Sequence, residues 1–115
     1  MKTIFKAFFL LIALSAVPVL AQSDFESQKA SAEAGDLWAQ GNLAVTYELG
    51  LGVPENDVKA YMWFSIAVAQ STASYQRELF SMGKDRVKSR LTREALEAAQ
   101  ALATKCFESN FKDCD

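Results

Sequence analysis

The chain has 115 residues, half of them hydrophobic, with 12 basic and 14 acidic side chains, two cysteines and no histidine. That charge balance argues against a nucleic-acid partner, because neutralising phosphates needs a clustered surplus of lysine and arginine. Without histidine the chain also lacks the commonest general base and triad partner, and a lone cysteine pair is a poor set of zinc ligands.

Met1 to Lys6 carries two lysines and no acid, and a 14-residue apolar stretch, Ala7 to Leu20, follows. Val19-Leu20-Ala21 then offers modest side chains at the minus-three and minus-one positions of a peptidase site. This layout predicts a secretory signal peptide over residues 1–21, cut before Gln22. The rival reading is a membrane anchor, but spanning takes about 20 apolar residues and Pro18 interrupts this shorter run. No cysteine lies near the cut to carry a lipid. Residues 22–115 are then one domain with no stable membrane insertion, placed in the periplasm or outside the cell. Without Lys2 and Lys6, its 94 residues carry 10 basic against 14 acidic side chains, a net charge of −4. A domain of that size buries only about 60–65% of its unfolded surface, so its core needs help.

The first helix is expected over Asp24 to Ala34, stopped by Gly35. The second spans Leu37 to Leu49 with Asp36 as N-cap, and Ala39, Leu43 and Tyr47 recur on one face. Gly50 and Gly52 end it, and Pro54 must lie in the following turn, since inside either helix it would lose a backbone hydrogen bond. Asp57 is expected to cap a third helix, Val58 to Gln70. Ten of the 14 residues from Asp57 to Gln70 are apolar. A helix apolar on nearly all sides is packed against more than one neighbour.

A fourth helix is expected over Ala73 to Arg90, with an imperfect apolar stripe of Tyr75, Leu79, Met82, Val87 and Leu91, and Gly83 weakening its middle. Thr92 reads as the N-cap of a fifth helix, with Glu94 in its first turn. Its inward face is Leu96, Ala99, Leu102 or Ala103, and Cys106. No alternating pattern signals a strand. The expected fold class is all-α, a short α-solenoid of antiparallel helix hairpins with about five helices.

Cys106 and Cys114 form a disulfide by default in an exported chain. Eight residues of continued helix would hold their Cα atoms about 12 Å apart, whereas a disulfide tolerates at most about 7 Å. The last helix must therefore stop near Ser109 or Asn110, and Asn110 suits a left-handed stop.

Ala39-Gln40, Leu43, Tyr47, Gly50-x-Gly52-Val53-Pro54, Asp57, Lys59-Ala60, Trp63 and Ala67 together resemble the Sel-one-like repeat family. That family is related to the tetratricopeptide repeats and builds α-solenoids from helix–turn–helix units. The likeness is dense over about 35 residues, with Ala44 departing from a usual glycine. It implies a structural motif made by Ala39, Leu43, Tyr47, Gly50, Gly52, Pro54, Ala60, Trp63 and Ala67. Repeats of this kind usually need about three units or dedicated caps, so the outer helices must cap the single full unit or the protein self-associates.

No catalytic constellation is legible, and no cofactor is expected. Glu94, Glu97 and the basic run Lys84, Arg86, Lys88, Arg90 and Arg93 read as solvated surface. The stripe expected to bind a partner is Trp38, Asn42, Val45 and Leu49, on the helix that lines the concave face in related solenoids. Against this stands the reading that Val45 and Leu49 merely pack on a neighbour. Trp38 carries the most weight, since aromatic anchors dominate interface energetics. The expected function is protein–protein interaction as adaptor or assembly factor, without catalysis. Two alternatives stand beside it: a weak β-lactam-binding or hydrolysing enzyme, as some cysteine-rich exported relatives look to be, and a self-associating structural module.

Overall fold

The structure, a computed structural model, describes residues 24–115. The signal-peptide reading of residues 1–21 lies outside the described residues. Among those described, the chain is all-α: α1 (24–33), α2 (Leu37–Leu49), α3 (Asp57–Gln70), α4 (Ser74–Lys88) and α5 (Arg93–Glu108), with no strand. Short connections stack them as antiparallel hairpins in a short α-solenoid.

Local chemistry sets each boundary. The Asp36 carboxylate accepts the Ala39 amide at 2.8 Å, capping α2. Three helices end on a left-handed residue, and at each the next amide reaches back five positions. Asp36 N–H donates to Ser31 O after Gly35, Leu51 N–H to Thr46 O after Gly50, and Phe111 N–H to Cys106 O after Asn110. That closure satisfies carbonyls the helix leaves orphaned. Gly50 at φ 68° and Gly52 at φ 84° supply the reversal between α2 and α3, and Pro54 sits exposed within it.

The cap of α3 differs from expectation. Asn56, not Asp57, takes the N-cap position, its side chain accepting the Lys59 amide at 3.0 Å. Asn56 N–H also donates to Tyr47 O at 2.8 Å, so the same residue ties the turn to α2. Asp57 becomes the first helical residue, where its charge complements the helix dipole. Similarly, α4 is shorter than expected at both ends. It begins at Ser74 after Gln76 Oε1 accepts the Thr72 and Ala73 amides, at 3.3 and 3.2 Å. Thr92 caps α5 as expected, accepting the Ala95 amide at 3.1 Å.

α3 is the hub, packed against α2, α4 and α5. Its Tyr61, Met62, Trp63, Phe64 and Ile66 are all buried, while Ala60 and Ala67 let neighbours approach. Each large side chain contributes about 1.5–3 kcal/mol by leaving water. The second hairpin repeats the first: α4 starts 37 residues after α2, and α5 starts 36 after α3.

The tail closes the far side. Cys106 and Cys114 are bonded, with Cα atoms 4.3 Å apart, because Asn110 at φ 59° and Phe111 at φ 66° turn the chain back. Phe111 is buried beside Gly35. Asp115 then bridges two helices, 2.9 Å from Lys29 Nζ on α1 and 3.2 Å from Lys59 Nζ on α3.

The stripe expected to face inward from α4 does not. Tyr75, Leu79 and Met82 lie exposed, and the buried residues are Phe80, Gly83 and Val87. Of the expected stripe, only Val87 is fully buried, with Leu91 partly so. Gly83 explains the choice: a Cβ there would come within 2.5 Å of the Phe64 ring. The helix presents its glycine where a large aromatic of α3 must enter, and the bulkier stripe turns to water.

Candidate functional site

α2 and α4 are the first helices of their hairpins and lie side by side. Each exposes residues at i, i+4, i+7 and i+11: Trp38, Asn42, Val45 and Leu49 on α2, and Tyr75, Leu79, Met82 and Arg86 on α4. This spacing keeps the four on one helix face. Trp38, Leu49, Tyr75, Leu79 and Met82 remain 47–63% exposed, and Val45 is half-buried.

Between the helices runs a cleft of about 210 Å³, walled by Trp38, Asn42 and Val45 on one side and Leu79, Met82 and Arg86 on the other. Two helical glycines set its depth. A Cβ on Gly41 would clash with the Phe80 ring, and one on Gly83 would meet Phe64. The rings of Phe80 and Phe64 therefore sink into the floor instead of filling the cleft. The Trp38 and Phe80 rings meet edge-on, with centroids 5.5 Å apart, which fixes the indole at one wall.

Three of the four expected partner-binding residues, Trp38, Asn42 and Val45, thus converge on one cleft. Leu49 lies on the same face but is not among the cleft's lining residues. The reading of Val45 and Leu49 as ordinary packing holds in part for Val45 alone. Leu79, Met82 and Arg86 were not anticipated as wall residues. Their signal was available in the 37-residue offset from Asn42, Val45 and Leu49, but the apolar stripe of α4 points equally well to a buried face.

One end of the cleft carries an ion-pair network. Arg86 holds Glu48 through Nε at 2.6 Å and Nη2 at 2.8 Å. Arg90 joins Glu48 at 3.2 Å and Asp57 at 3.1 Å. The Glu48 side chain is only 5% exposed. Its hydrogen bonds from Arg86 and then Arg90 hold its carboxyl below the usual range, against the opposing effect of burial. Hence two members of the basic run are not free surface charges but partners of a buried acid. Glu97, by contrast, stays exposed and pairs only with Arg93 at 3.4 Å.

The residues of the structural motif occupy the core or its turn. Leu43, Tyr47, Ala60, Trp63 and Ala67 are buried and Ala39 is half-buried. Burial raises the Tyr47 hydroxyl pKa, opposed by Lys59 and Lys29. Its ring meets Phe25 of α1 edge-on at 5.8 Å, so Tyr47 joins α1 to the central hairpin.

A second cleft, about 290 Å³, opens between α1 and the α2–α3 turn, beside Phe25, Gln28, Thr46 and Leu51. Within it Thr46 Oγ1 donates to Gln28 Oε1 at 2.8 Å, and Asp24 also lines it. It is the larger of the two but offers no aromatic wall comparable to Trp38. Among the described residues, no three or more His, Cys, Asp or Glu side chains converge as metal ligands. No family model, curated protein or solved structure matches the chain.

Proposed function

We propose that the chain is an exported helical-repeat protein of the Sel-one-like kind that binds an amphipathic segment of another protein, acting as an adaptor without turnover. The cleft between α2 and α4 is the observation that supports this reading. Scattered exposed apolar residues are ordinary, but a contiguous apolar run around a recess marks an interaction surface. A channel between two helices suits an apolar face at helical spacing, with anchors reaching between Trp38 and Met82. The Cys106–Cys114 bond fits an oxidising compartment. No helix among the described residues is long and apolar enough to cross a membrane.

The test starts from immobilised protein and a periplasmic extract, with each captured protein then purified and titrated. A genuine partner loses at least about tenfold in affinity to Trp38→Ala, the effect of removing an aromatic anchor. Equal affinity of every captured protein for both forms removes the cleft as the site. Light scattering over a concentration series covers the alternative of a second copy. A mass that rises with concentration and falls back in Trp38→Ala transfers the cleft to self-association. Turnover of a chromogenic β-lactam above that of a Trp63 variant would favour an enzyme instead.

A further inference from the structure

We infer that the partner segment carries an aspartate or glutamate side chain one helical turn beyond its apolar anchors, received by Arg86. The inference rests on the α2–α4 cleft being the binding site. Among the described residues, Arg86 is the sole charged one lining that cleft, and no carboxylate lines it. Its side chain is 53% exposed beside the cleft. Glu48 engages Nε and Nη2 from the protein side. The Nη1 donors have no protein partner among the described residues.

The guanidinium is thereby held in place before any partner arrives. Glu48 is buried, and Arg90, tied to both Glu48 and Asp57, also donates to Glu48 Oε1 and steadies the carboxylate. A fixed planar fork loses less freedom on binding than a loose lysine would. Arg86 lies four positions beyond Met82, hence one turn further along the same face of α4. An apolar side chain between Trp38 and Met82 then places a neighbouring acid within reach of Nη1. Arg86 stands at one end of the cleft, so this contact sets the direction in which a segment lies.

A random-peptide library fused at both ends to its carrier, panned on the whole protein, tests the inference without altering Arg86. Selected sequences are expected to combine apolar residues with an Asp or Glu. Each is resynthesised with that acid changed to its amide, Asp→Asn or Glu→Gln. The amide form should bind roughly tenfold more weakly, the loss of one charge-assisted hydrogen bond. Trp38→Ala in the protein should weaken both forms. Peptides that depend on Trp38 but are indifferent to the amide change overturn the acid contact and leave the cleft standing. Failure to select any Trp38-dependent peptide overturns the cleft and the acid contact together.

Discussion

Arg86 on α4 grips Glu48 on α2 with two parallel hydrogen bonds, Nε to Oε1 at 2.6 Å and Nη2 to Oε2 at 2.8 Å. The pair spans 38 positions of sequence and joins the first helices of the two hairpins. Only a few other residues connect α2 and α4 directly, because both pack chiefly on α3. The pair therefore holds the two walls of the cleft in register, as well as orienting the guanidinium.

Glu48→Gln should destabilise the protein by about 2 kcal/mol in chemical denaturation. Losing one partner of a fully buried ion pair costs about 3–5 kcal/mol, but Arg86 is half exposed and solvent screens part of the loss. The pH dependence has a definite sign. The Glu48 carboxyl lies below its ordinary value in the folded state, so the unfolded chain binds its proton first. Its stabilisation is fully present above about pH 5 and is lost as pH falls through the lower folded value. Asp115, lowered by Lys29 and then Lys59, adds in the same direction. Denaturation midpoints should therefore drop on acidification below about pH 5, with a shallower slope in Glu48→Gln than in wild type.

Gly83→Ala should destabilise by about 1–2 kcal/mol although alanine favours helices by about 1 kcal/mol over glycine. The added methyl meets the Phe64 ring at 2.5 Å, and that ring is itself buried on α3. A buried ring cannot swing aside cheaply, so overpacking prevails. Gly41→Ala acts on the other floor residue, driving Phe80 toward the cleft. It should cost stability as well and weaken Trp38-dependent binding, measured by denaturation and peptide titration on the same sample. A gain in stability from Gly83→Ala would mean that α3 and α4 pack less closely than described.

The helices and the turn between α2 and α3 were legible in the sequence, since glycine, proline and apolar period act locally. Asp36 and Thr92 cap as their chemistry predicts. The fold-back at Asn110 follows from the length of chain between two bonded cysteines. The orientation of α4 was not legible from its apolar pattern. Tyr75, Leu79 and Met82 make a helical stripe, and so do Phe80, Gly83 and Val87, on a different face. Selecting between them requires knowing that Phe64 needs the space over a glycine, which is a property of the partner helix. Likewise, Arg86 reads as a solvated charge until Glu48 is found buried opposite it. Half of the cleft was visible, the α2 wall, because its helix has a dedicated buried face in Leu43 and Tyr47.

The two candidate caps of α3 can be separated. Asn56→Ala removes both the acceptor for the Lys59 amide and the preferred N-cap side chain, and should cost about 1 kcal/mol. Asp57→Ala loses the dipole complement and an exposed pair with Arg90, together under about 1 kcal/mol. Thermal denaturation of the two variants side by side checks the order. A larger loss at Asp57 would restore it as the cap.

The tail offers the last prediction. Cys106→Ser with Cys114→Ser opens a loop whose closure contributes about 2–3 kcal/mol on the chain-entropy account. More than that bond is at stake, because the fold-back also delivers Phe111 to Gly35 and Asp115 to Lys29 and Lys59. These contacts hold α1 against the central hairpin, where Phe25 and Gln28 meet Tyr47 and Thr46. Losing the disulfide should therefore loosen α1 before the hairpin. Trypsin then cuts at Lys29 well ahead of Arg77 and Lys84, which lie on the helix packed against α3. Asp115→Asn, with the disulfide intact, removes only exposed pairs worth under about 1 kcal/mol each and should leave Lys29 nearly as protected as in wild type. Simultaneous cleavage at all three sites in the double serine variant would show that α1 and the hairpin open as one unit.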